Sequence, residues 1–286
     1  MARLAIIFAR VNEKLGVWFV RVVLVSVLLS LFFVTGGGIS QNDRWKINDI
    51  KISGANVVSN DQIMTLVREK LLGNYYFVYS KDNSYLFPRH EIEATMLETF
   101  PRLSSVLVRR QGDHTIAIWV TERTPFALWC GKIFAFAPPE ITDCYFVDET
   151  GFVFDHAPIF SEGVYFEIYG GIEGLQNDDV LRASITPERF MLVRAFESLL
   201  KKEIADPLRV MIKPDGEYGV TVRSSIMYPV LNGIEIRFKD GQDPDALVHN
   251  LSVALPIQFP SGPPPKKKLQ YIDMRFNNKV VFGFTP

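Results

Sequence analysis

The stretch from Ile116 to Trp129, IAIWVTERTPFALW, decides how the chain divides. Ile116, Ile118 and Val120 recur at every second position, and this period predicts a β-strand. Pro125 cannot donate a ladder hydrogen bond, so it ends that strand and turns the chain. We therefore expect one folded unit to close just before Pro125 and a second unit to begin there.

Upstream of this stretch, from about Trp45, the pattern predicts a strand, two helices and two further strands. Ser59 or Asn60 is a candidate cap for the first helix, and Pro101 ends the second. Between the helices, residues 75–88 (YYFVYSKDNSYLFP) predict a loop with aromatic anchors. These elements make a small α+β domain.

Downstream of Pro125 the chain consists mostly of short strand patterns, interrupted by two helical ones. One helix begins with Thr186 as cap and Pro187 at the first position, and the other carries Leu247, Leu251 and Leu255 on one face. This pattern predicts a long mixed or mostly antiparallel sheet with helices packed on one face. The fold class expected for the soluble part is therefore α+β.

A membrane segment precedes both units. Residues 22–39 (VVLVSVLLSLFFVTGGGI) contain no charge and nearly span a hydrocarbon core of about 30 Å at about 1.5 Å per residue. Four basic residues and a single acidic one precede it, which places the N-terminus in the cytoplasm and the bulk of the chain outside. The alternative is a cleaved signal peptide, but a basic region of this length is unusual for one.

Composition and motifs give no support to catalysis or nucleic-acid binding. Of the 286 residues 48% are hydrophobic and 22% charged, and the formal net charge is -1, which argues against a general nucleic-acid-binding role. Ser198 and Lys201 match the S-x-x-K pattern of penicillin-binding enzymes, but they lie in an amphipathic helix and the companion motifs are missing. We expect no catalytic residue, no cofactor and no metal site.

The two cysteines, Cys130 and Cys144, flank the segment CGKIFAFAPPEITDC. On the oxidising side of the membrane they are a possible disulfide, which would stabilise the fold by about 3 kcal/mol in the chain-entropy model. Two separate buried thiols are the alternative, because the sequence does not fix the distance between the cysteines.

Several of these stretches together resemble the FtsQ/DivIB family of bacterial cell-division proteins. Residues 50–63 (IKISGANVVSNDQI) and 100–110 (FPRLSSVLVRR) are similar to the family's POTRA domain, which has the order strand, helix, helix, strand, strand. The residues that match its closing V-x-E-R-x-P-x-A run are Val120, Glu122, Arg123, Pro125 and Ala127. Residues 146–154 (FVDETGFVF) and 271–276 (YIDMRF) resemble two later motifs, while the segment between the cysteines departs from the family, which usually has a shorter connection there.

The resemblance implies a cytoplasmic tail (1–21), a transmembrane helix (22–39), a POTRA domain (45–123) and a C-terminal β domain (124–286). It implies a non-enzymatic divisome scaffold in the bacterial inner membrane at the septum. Its partners would be FtsB/DivIC-like and FtsL-like bitopic proteins, with other divisome proteins meeting the POTRA domain. The alternatives are an envelope assembly or transport component with a POTRA domain and, with least support, an envelope enzyme.

The last two strand patterns, in LQYIDMRFNNKVVFGFTP, suggest the docking site. A two-residue loop at Asn277–Asn278 would mix apolar and other residues on one face, whereas a three-residue loop makes one face wholly apolar. That register pairs Phe276 with Val280, Met274 with Phe282 and Ile272 with Phe284. The strand 280–284 then has a free edge to which a partner strand can add, unless the chain's own loop or tail covers it.

The resemblance implies the same location for the partner, and the candidate partner-binding residues are Phe276, Asn278, Val280, Val281, Phe282, Gly283 and Phe284.

Overall fold

The computed structural model describes residues 2–131, 143–173, 180–260, 267–276 and 279–285, with side chains from residue 18 onward. The chain forms two compact units, Met1–Glu122 and Arg123–Pro286. The division between them falls in the stretch that leads from a strand to Pro125.

The first unit begins with a long helix, α1 (Ala2–Ser40). Its part Trp18–Ser40, which contains the expected span 22–39, has a mean hydropathy of 2.4 and only 6% of its most apolar window is buried in the protein. A helix of this length with an apolar surface is suited to a bilayer rather than to water. It therefore fits a single-pass membrane anchor.

The remainder of the first unit follows the predicted order of strands and helices. Its elements are β1 (Asp49–Ser53), α2 (Asn60–Lys70), β2 (Asn74–Tyr75), β3 (Tyr79–Ser80), α3 (Arg89–Thr99), β4 (Leu103–Arg110) and β5 (Thr115–Glu122). Strand β5 lies in the middle of its sheet, parallel to β1 and antiparallel to β4. The helices bury their apolar faces in the core of this unit, with Ile63, Val67, Ile92 and Met96 fully buried.

The aromatic segment between α2 and α3 differs from the prediction. Strands β2 and β3 form a short hairpin instead of a loop. Tyr79 does serve as an anchor, because its ring packs on that of Phe33 in α1, with centroids 5.1 Å apart. Tyr76 and Phe77 do not, since they are 79% and 96% exposed.

The second unit is built on a nine-stranded sheet, with strand order β14-β13-β12-β11-β10-β9-β6-β7-β8. The strands are β6 (Ala127–Trp129), β7 (Tyr145–Val147), β8 (Val153–His156), β9 (Phe166–Gly170), β10 (Asp206–Ile212), β11 (Glu217–Arg223), β12 (Ile234–Lys239), β13 (Leu269–Asp273) and β14 (Val281–Phe284). The α-helices in the described part of this unit are α4 (Pro187–Glu203) and α5 (Pro244–Gln258).

Both helices of the second unit are crossover connections. Helix α4 joins β9 to β10 and α5 joins β12 to β13, and each of these strand pairs is parallel. Parallel neighbours need such a crossover, whereas hairpins suffice for the antiparallel pairs such as β10–β11 and β13–β14. The sheet is therefore mixed, and the α+β class is confirmed.

The main core of the second unit lies between the sheet and the two helices. Helix α4 contributes Phe190 and Phe196, and α5 contributes Leu251 and Leu255, all of them buried. The ring of Phe196 lies 4.4 Å from that of Phe238 in β12. This packing fixes the sheet that carries β13 and β14.

Candidate docking edge

Strand β14 lies at one end of the sheet, and β13 is its neighbour. The N–H of Thr285 donates to the carbonyl of Lys268 on the β13 side, at 2.9 Å. Because N–H groups alternate in direction along a strand, those of Phe282 and Phe284 point to the other side. No strand among the described residues pairs with that side of β14, so it is an open edge in the described part of the chain.

The expected register of these two strands is wrong. Phe282 lies opposite Ile272, not opposite Met274, and Val281 lies opposite Asp273. Strand β13 ends early because the side chain of Asp273 accepts a hydrogen bond from the backbone N–H of Arg275, at 3.0 Å, and starts a turn. At Phe282 the partner differs from the expected one by two residues, so Phe282 keeps its place on the core face. A bulge between Leu269 and Tyr271 then places Leu269, also buried, opposite Phe284.

The candidate partner-binding residues fall into two groups. Val280, Phe282 and Phe284 pack against the main core, and the ring of Phe259 at the end of α5 lies 5.6 Å from Phe282 and 6.3 Å from Phe284. Val281 and Phe276 are instead 42% and 56% exposed. The first group thus holds β14 in place, and the second is available at the surface.

Asn278 cannot be assigned to either group, since residues 277–278 lie outside the described part of the chain. Of the loop expected at Asn277–Lys279, the described part of the chain includes Lys279. On its C-terminal side, the N–H of Lys279 donates to the carbonyl of Phe276, at 2.9 Å. This bond keeps the two ends of the connection close together.

Gly283 is explained by a neighbour on the adjacent strand. A Cβ added at Gly283 would lie 2.4 Å from the ring of Tyr271, which is directly opposite it. The guanidinium of Arg237 stacks over the same ring, with its Cζ 4.4 Å from the centroid. Tyr271 therefore covers Gly283, and any larger side chain would displace the ring.

An ion-pair network supports the turn after β13. Nε and Nη2 of Arg275 donate to the two carboxylate oxygens of Asp273, at 3.0 and 2.6 Å, and Nη1 donates to Glu217 on β11. The hydrogen bonds from Arg275 lower the pKa of Asp273 more than its burial raises it. The Asp273 carboxylate is thus held in its charged form.

The opposite end of the sheet is not open in the same way. Strand β8 is bonded on its outer side by the segment before α4, because the N–H of Val153 donates to the carbonyl of Ala183 and the N–H of Arg182 donates to that of Val153. Phe152 and Ser184 form a further bridge. The start of β8 is therefore covered, whereas no strand among the described residues pairs with the outer side of β14.

Two of the motifs that carried the family resemblance meet at the start of the second unit. Arg123 forms a hydrogen-bonded ion pair with Asp148, and its guanidinium lies 4.1 Å from the ring centroid of Phe152. Asp148 also accepts hydrogen bonds from the N–H and hydroxyl of Thr150, at 2.8 and 2.6 Å. Burial raises the pKa of Asp148, but these hydrogen bonds outweigh it and the net pKa is lowered.

Glu122 has a comparable role at the end of the first unit. Its carboxylate accepts backbone N–H bonds from Asn56, Val57 and Val58, each at 2.9 Å. Burial raises the pKa of Glu122, but the hydrogen bonds from the three N–H donors lower it by more. The net pKa of Glu122 is therefore below its ordinary value. The side chain thus ties the end of β5 to the turn that leads into α2, where Ser59 is the cap.

Cys130 and Cys144 form a disulfide, with their Cα atoms 4.3 Å apart. The bond joins the residue that follows β6 to the residue that precedes β7. Strands β6 and β7 are adjacent and antiparallel. Residues 132–142 between them lie outside the described part of the chain. Among the residues that are described, no group of three or more His, Cys, Asp or Glu side chains is placed to hold a metal ion.

Sequence reasoning did not find three residues that support the docking edge, namely Glu217, Arg237 and Phe259. Glu217 meets Arg275 although 58 positions separate them. Arg237 contacts Tyr271, and Phe259 contacts Phe282, and these partners are also distant in the sequence. No local pattern in the sequence relates these pairs. The strand order β11-β12-β13-β14 and the position of the end of α5 bring them together.

Comparison with known proteins agrees with the first unit's topology. No curated protein matches the chain. Residues 45–123 match the family model "POTRA domain, FtsQ-type". The matched range runs from the residues after α1 to Arg123 and includes the complete strand-helix-helix-strand-strand unit. The chain therefore contains a POTRA domain of the FtsQ type, and this supports its membership of the FtsQ/DivIB family.

Proposed function

We propose that the protein is a non-enzymatic divisome scaffold that binds bitopic division proteins through the open edge of β14. The partners are FtsB/DivIC-like and FtsL-like chains, and the POTRA domain meets other divisome proteins. The scaffold is held in the bacterial inner membrane at the septum and links its partners to septal peptidoglycan synthesis. Support comes from the FtsQ-type POTRA domain, a domain typical of a cell-division scaffold family.

The observation that carries the docking proposal is the open edge of β14. Exposed strand edges are aggregation hazards, and proteins usually cover or disrupt them. Here the strand is instead held firmly, by Phe259 on its core face and by Tyr271 over Gly283. A rigid, unpaired edge suits β-augmentation, in which the backbone hydrogen bonds of an added strand supply affinity.

Crosslinking in living cells tests this proposal. A photoreactive amino acid at Phe276 or Val281, both exposed, should crosslink to a small single-pass membrane protein. The matched control is Ile226, which is fully exposed, apolar and in the same unit. Crosslinks of equal yield from all three positions, or none from the first two, would contradict the docking site.

A backbone variant tests the same edge by a different route. Val281→Pro removes an N–H that faces β13 and so detaches β14 from the sheet, whereas Val281→Thr keeps a β-branched strand residue. We expect the proline variant to lose partner co-purification and the threonine variant to keep it. Deletion of residues 279–286 should match the proline variant, and unchanged partner recovery after that deletion would refute the proposal.

The orientation in the membrane follows from the basic residues before the apolar helix. We propose a cytoplasmic N-terminus, because Arg3, Arg10, Lys14 and Arg21 precede the span with Glu13 as the single acid. A reporter that is active only outside the cytoplasm should work when fused after Pro286 and fail when fused at Met1. The opposite result would reverse the assignment.

A further inference from the structure

The C-terminal end of α1 packs tightly on the β2–β3 hairpin. A Cβ added at Gly37 would lie 1.9 Å from Cγ1 of Val78, so only glycine allows this approach. One turn earlier, the hydroxyl of Tyr79 donates to the backbone carbonyl of Phe33, at 3.2 Å, and the two rings pack edge to face. The helix and the hairpin are therefore in direct contact along the last two turns of α1.

Polar contacts continue this junction at the end of the helix. The side-chain amide of Asn83 donates to the carbonyl of Ser40 at 2.8 Å, and the N–H of Ser80 donates to the Ser40 hydroxyl at 3.2 Å. The side-chain amide of Gln41 donates to the carbonyl of Val78, at 2.8 Å. Ser40 and Asn83 are both buried. The hairpin is thus fixed in position and direction relative to the helix.

This junction lies at the depth of the membrane surface. Phe33 is about 10 Å before the end of α1 at about 1.5 Å per residue. A helix needs about 20 residues to cross the hydrocarbon core. Counted from Trp18 such a span ends near Gly37, and counted from Val22 it ends farther on. In either case Phe33 lies within the span, and the hairpin that contacts it reaches the surface of the bilayer.

The tip of the hairpin presents two highly exposed aromatic side chains. Tyr76 is 79% and Phe77 is 96% exposed, and Leu72 nearby is 72% exposed. Tyr76 and Phe77 also have positive φ angles of 49° and 65°, a region that non-glycine residues rarely occupy. In water, exposure of these two rings gives no stabilisation that would offset the strain of the turn. Aromatic residues are favoured at membrane interfaces, where an apolar ring can enter the acyl boundary.

A second aromatic pair lies beside the same end of the helix. The rings of Trp45 and Tyr85 pack edge to face with centroids 5.2 Å apart, and they line a groove together with Gly36 and Ile39 of α1. The guanidinium of Arg44 lies over the Trp45 ring, at 5.2 Å from its centroid. The end of α1 thus lies next to the aromatic side chains of Tyr79, Trp45 and Tyr85.

We propose that Tyr76 and Phe77 insert into the headgroup and upper acyl region of the leaflet at the C-terminal end of α1. The hairpin is then a second membrane contact besides the helix itself. Together the two contacts fix the orientation of the POTRA domain relative to the bilayer, because the junction around Gly37 prevents rotation of one against the other. This contact does not depend on which division proteins the chain binds.

Lipid quenching of a site-specific fluorophore tests the insertion. The full chain with Phe77→Cys carries one reactive thiol, because Cys130 and Cys144 are joined. It is labelled and placed in vesicles of phosphatidylethanolamine and phosphatidylglycerol that contain lipids with a nitroxide on an upper acyl carbon. We expect the nitroxide to quench this fluorophore several-fold more than one at Val57→Cys, and aqueous iodide to show the reverse order.

Two positions serve as controls for that measurement. Val57 is 64% exposed and lies in the turn that Glu122 holds before α2, outside the hairpin and α1, so its label serves as the aqueous control. Leu28, 64% exposed in the middle of the apolar segment, reports lipid. If the label at position 77 behaves like that at 57 while the label at 28 is quenched, the insertion is refuted. If the label at 28 is not quenched either, the anchor itself is refuted, and the proposal with it.

A pair of glycine variants tests the junction. Gly37→Ala places a Cβ against Val78, whereas Gly38→Ala meets nothing within 4 Å. Both changes raise helix propensity equally. We expect Gly37→Ala to reduce lipid quenching at position 77 towards the level at Val57, and Gly38→Ala to leave it unchanged. Equal quenching in both variants would show that the helix contact does not position the hairpin.

Discussion

Single carboxylates hold the turns at the positions where this chain changes direction. Glu122, Asp148 and Asp273 each accept backbone N–H groups from a turn, and each has a lowered pKa. A carboxylate that accepts several such bonds satisfies donors that would otherwise be unpaired. The acidic residues of the family motifs therefore have structural roles that can be tested one at a time.

Glu122→Ala should destabilise the first unit by about 1–3 kcal/mol, because three N–H groups before α2 lose their acceptor. Denaturant unfolding followed by far-UV circular dichroism measures this change. Glu122→Gln, which keeps one carbonyl oxygen, should fall between the alanine variant and the native protein.

Glu69→Ala is the matched control for this prediction. Glu69 is an exposed residue on α2, and we expect its loss to change the free energy of unfolding only slightly. Equal destabilisation by the two alanine variants would contradict the role assigned to Glu122.

The lowered pKa of Asp148 makes the stability of the second unit depend on pH. The stabilisation is fully present above the unfolded pKa of about 3.8 and is lost as the pH falls through the lower folded value. We expect the native protein to lose stability over this acidic range more steeply than Asp148→Asn, which cannot titrate. Urea unfolding at a series of pH values measures the difference, and parallel curves for the two proteins would exclude this linkage.

The sequence pointed to Glu122, Arg123 and Asp148 through the family resemblance, but it did not reveal what they contact. Glu122 bonds to residues more than 60 positions away, and Arg123 meets Asp148 across the segment between the cysteines. Local periodicity carries no information about such pairs, because they depend on strand order. The sequence therefore indicated which residues matter here, but it did not indicate which residues they contact.

At the scale of elements, the sequence predicted the helices and the long strands. For the last hairpin it predicted which side chains share a face, but not the register of the two strands. Apolar periodicity correctly placed Ile272, Phe282 and Phe284 on one face, because the side-chain period of a strand is two. The register was wrong, because the turn made by Asp273 and Arg275 depends on Glu217 from another strand. The β2–β3 hairpin was missed because its exposed aromatic tip resembles the buried anchors of a loop.

The disulfide joins two neighbouring strands and should stabilise the second unit. Its cysteines are 14 positions apart, which corresponds to about 3 kcal/mol in the chain-entropy model. We expect the double variant Cys130→Ser with Cys144→Ser to unfold at a lower denaturant concentration. On protein from an oxidising compartment, alkylation before reduction should leave both cysteines unmodified. Two reactive thiols on the natively folded protein would contradict the pairing.

At the scale of the whole molecule, the unit that carries the apolar helix is separate from the unit whose strand β14 has no outer partner strand among the described residues. The residues buried in the core of the POTRA domain all lie between Trp45 and Arg123, and none of them comes from α1. The helix contacts the hairpin instead, through Tyr79, Ser80 and Asn83. The contacts of the apolar helix and the core of this domain therefore involve different residues.

This separation predicts that residues 45–123 fold on their own, without α1. The isolated fragment should give a dispersed amide NMR spectrum, because its core is complete and Glu122 still holds the turn before α2. Amides around Tyr79 and Asn83 should exchange faster than in the full chain, since their contacts with Phe33 and Ser40 are gone. A fragment that stops at residue 121 is the matched control, because it lacks the Glu122 carboxylate but keeps the rest of the core. It should be less stable, and a collapsed spectrum for the longer fragment would show that the anchor helix is part of the fold.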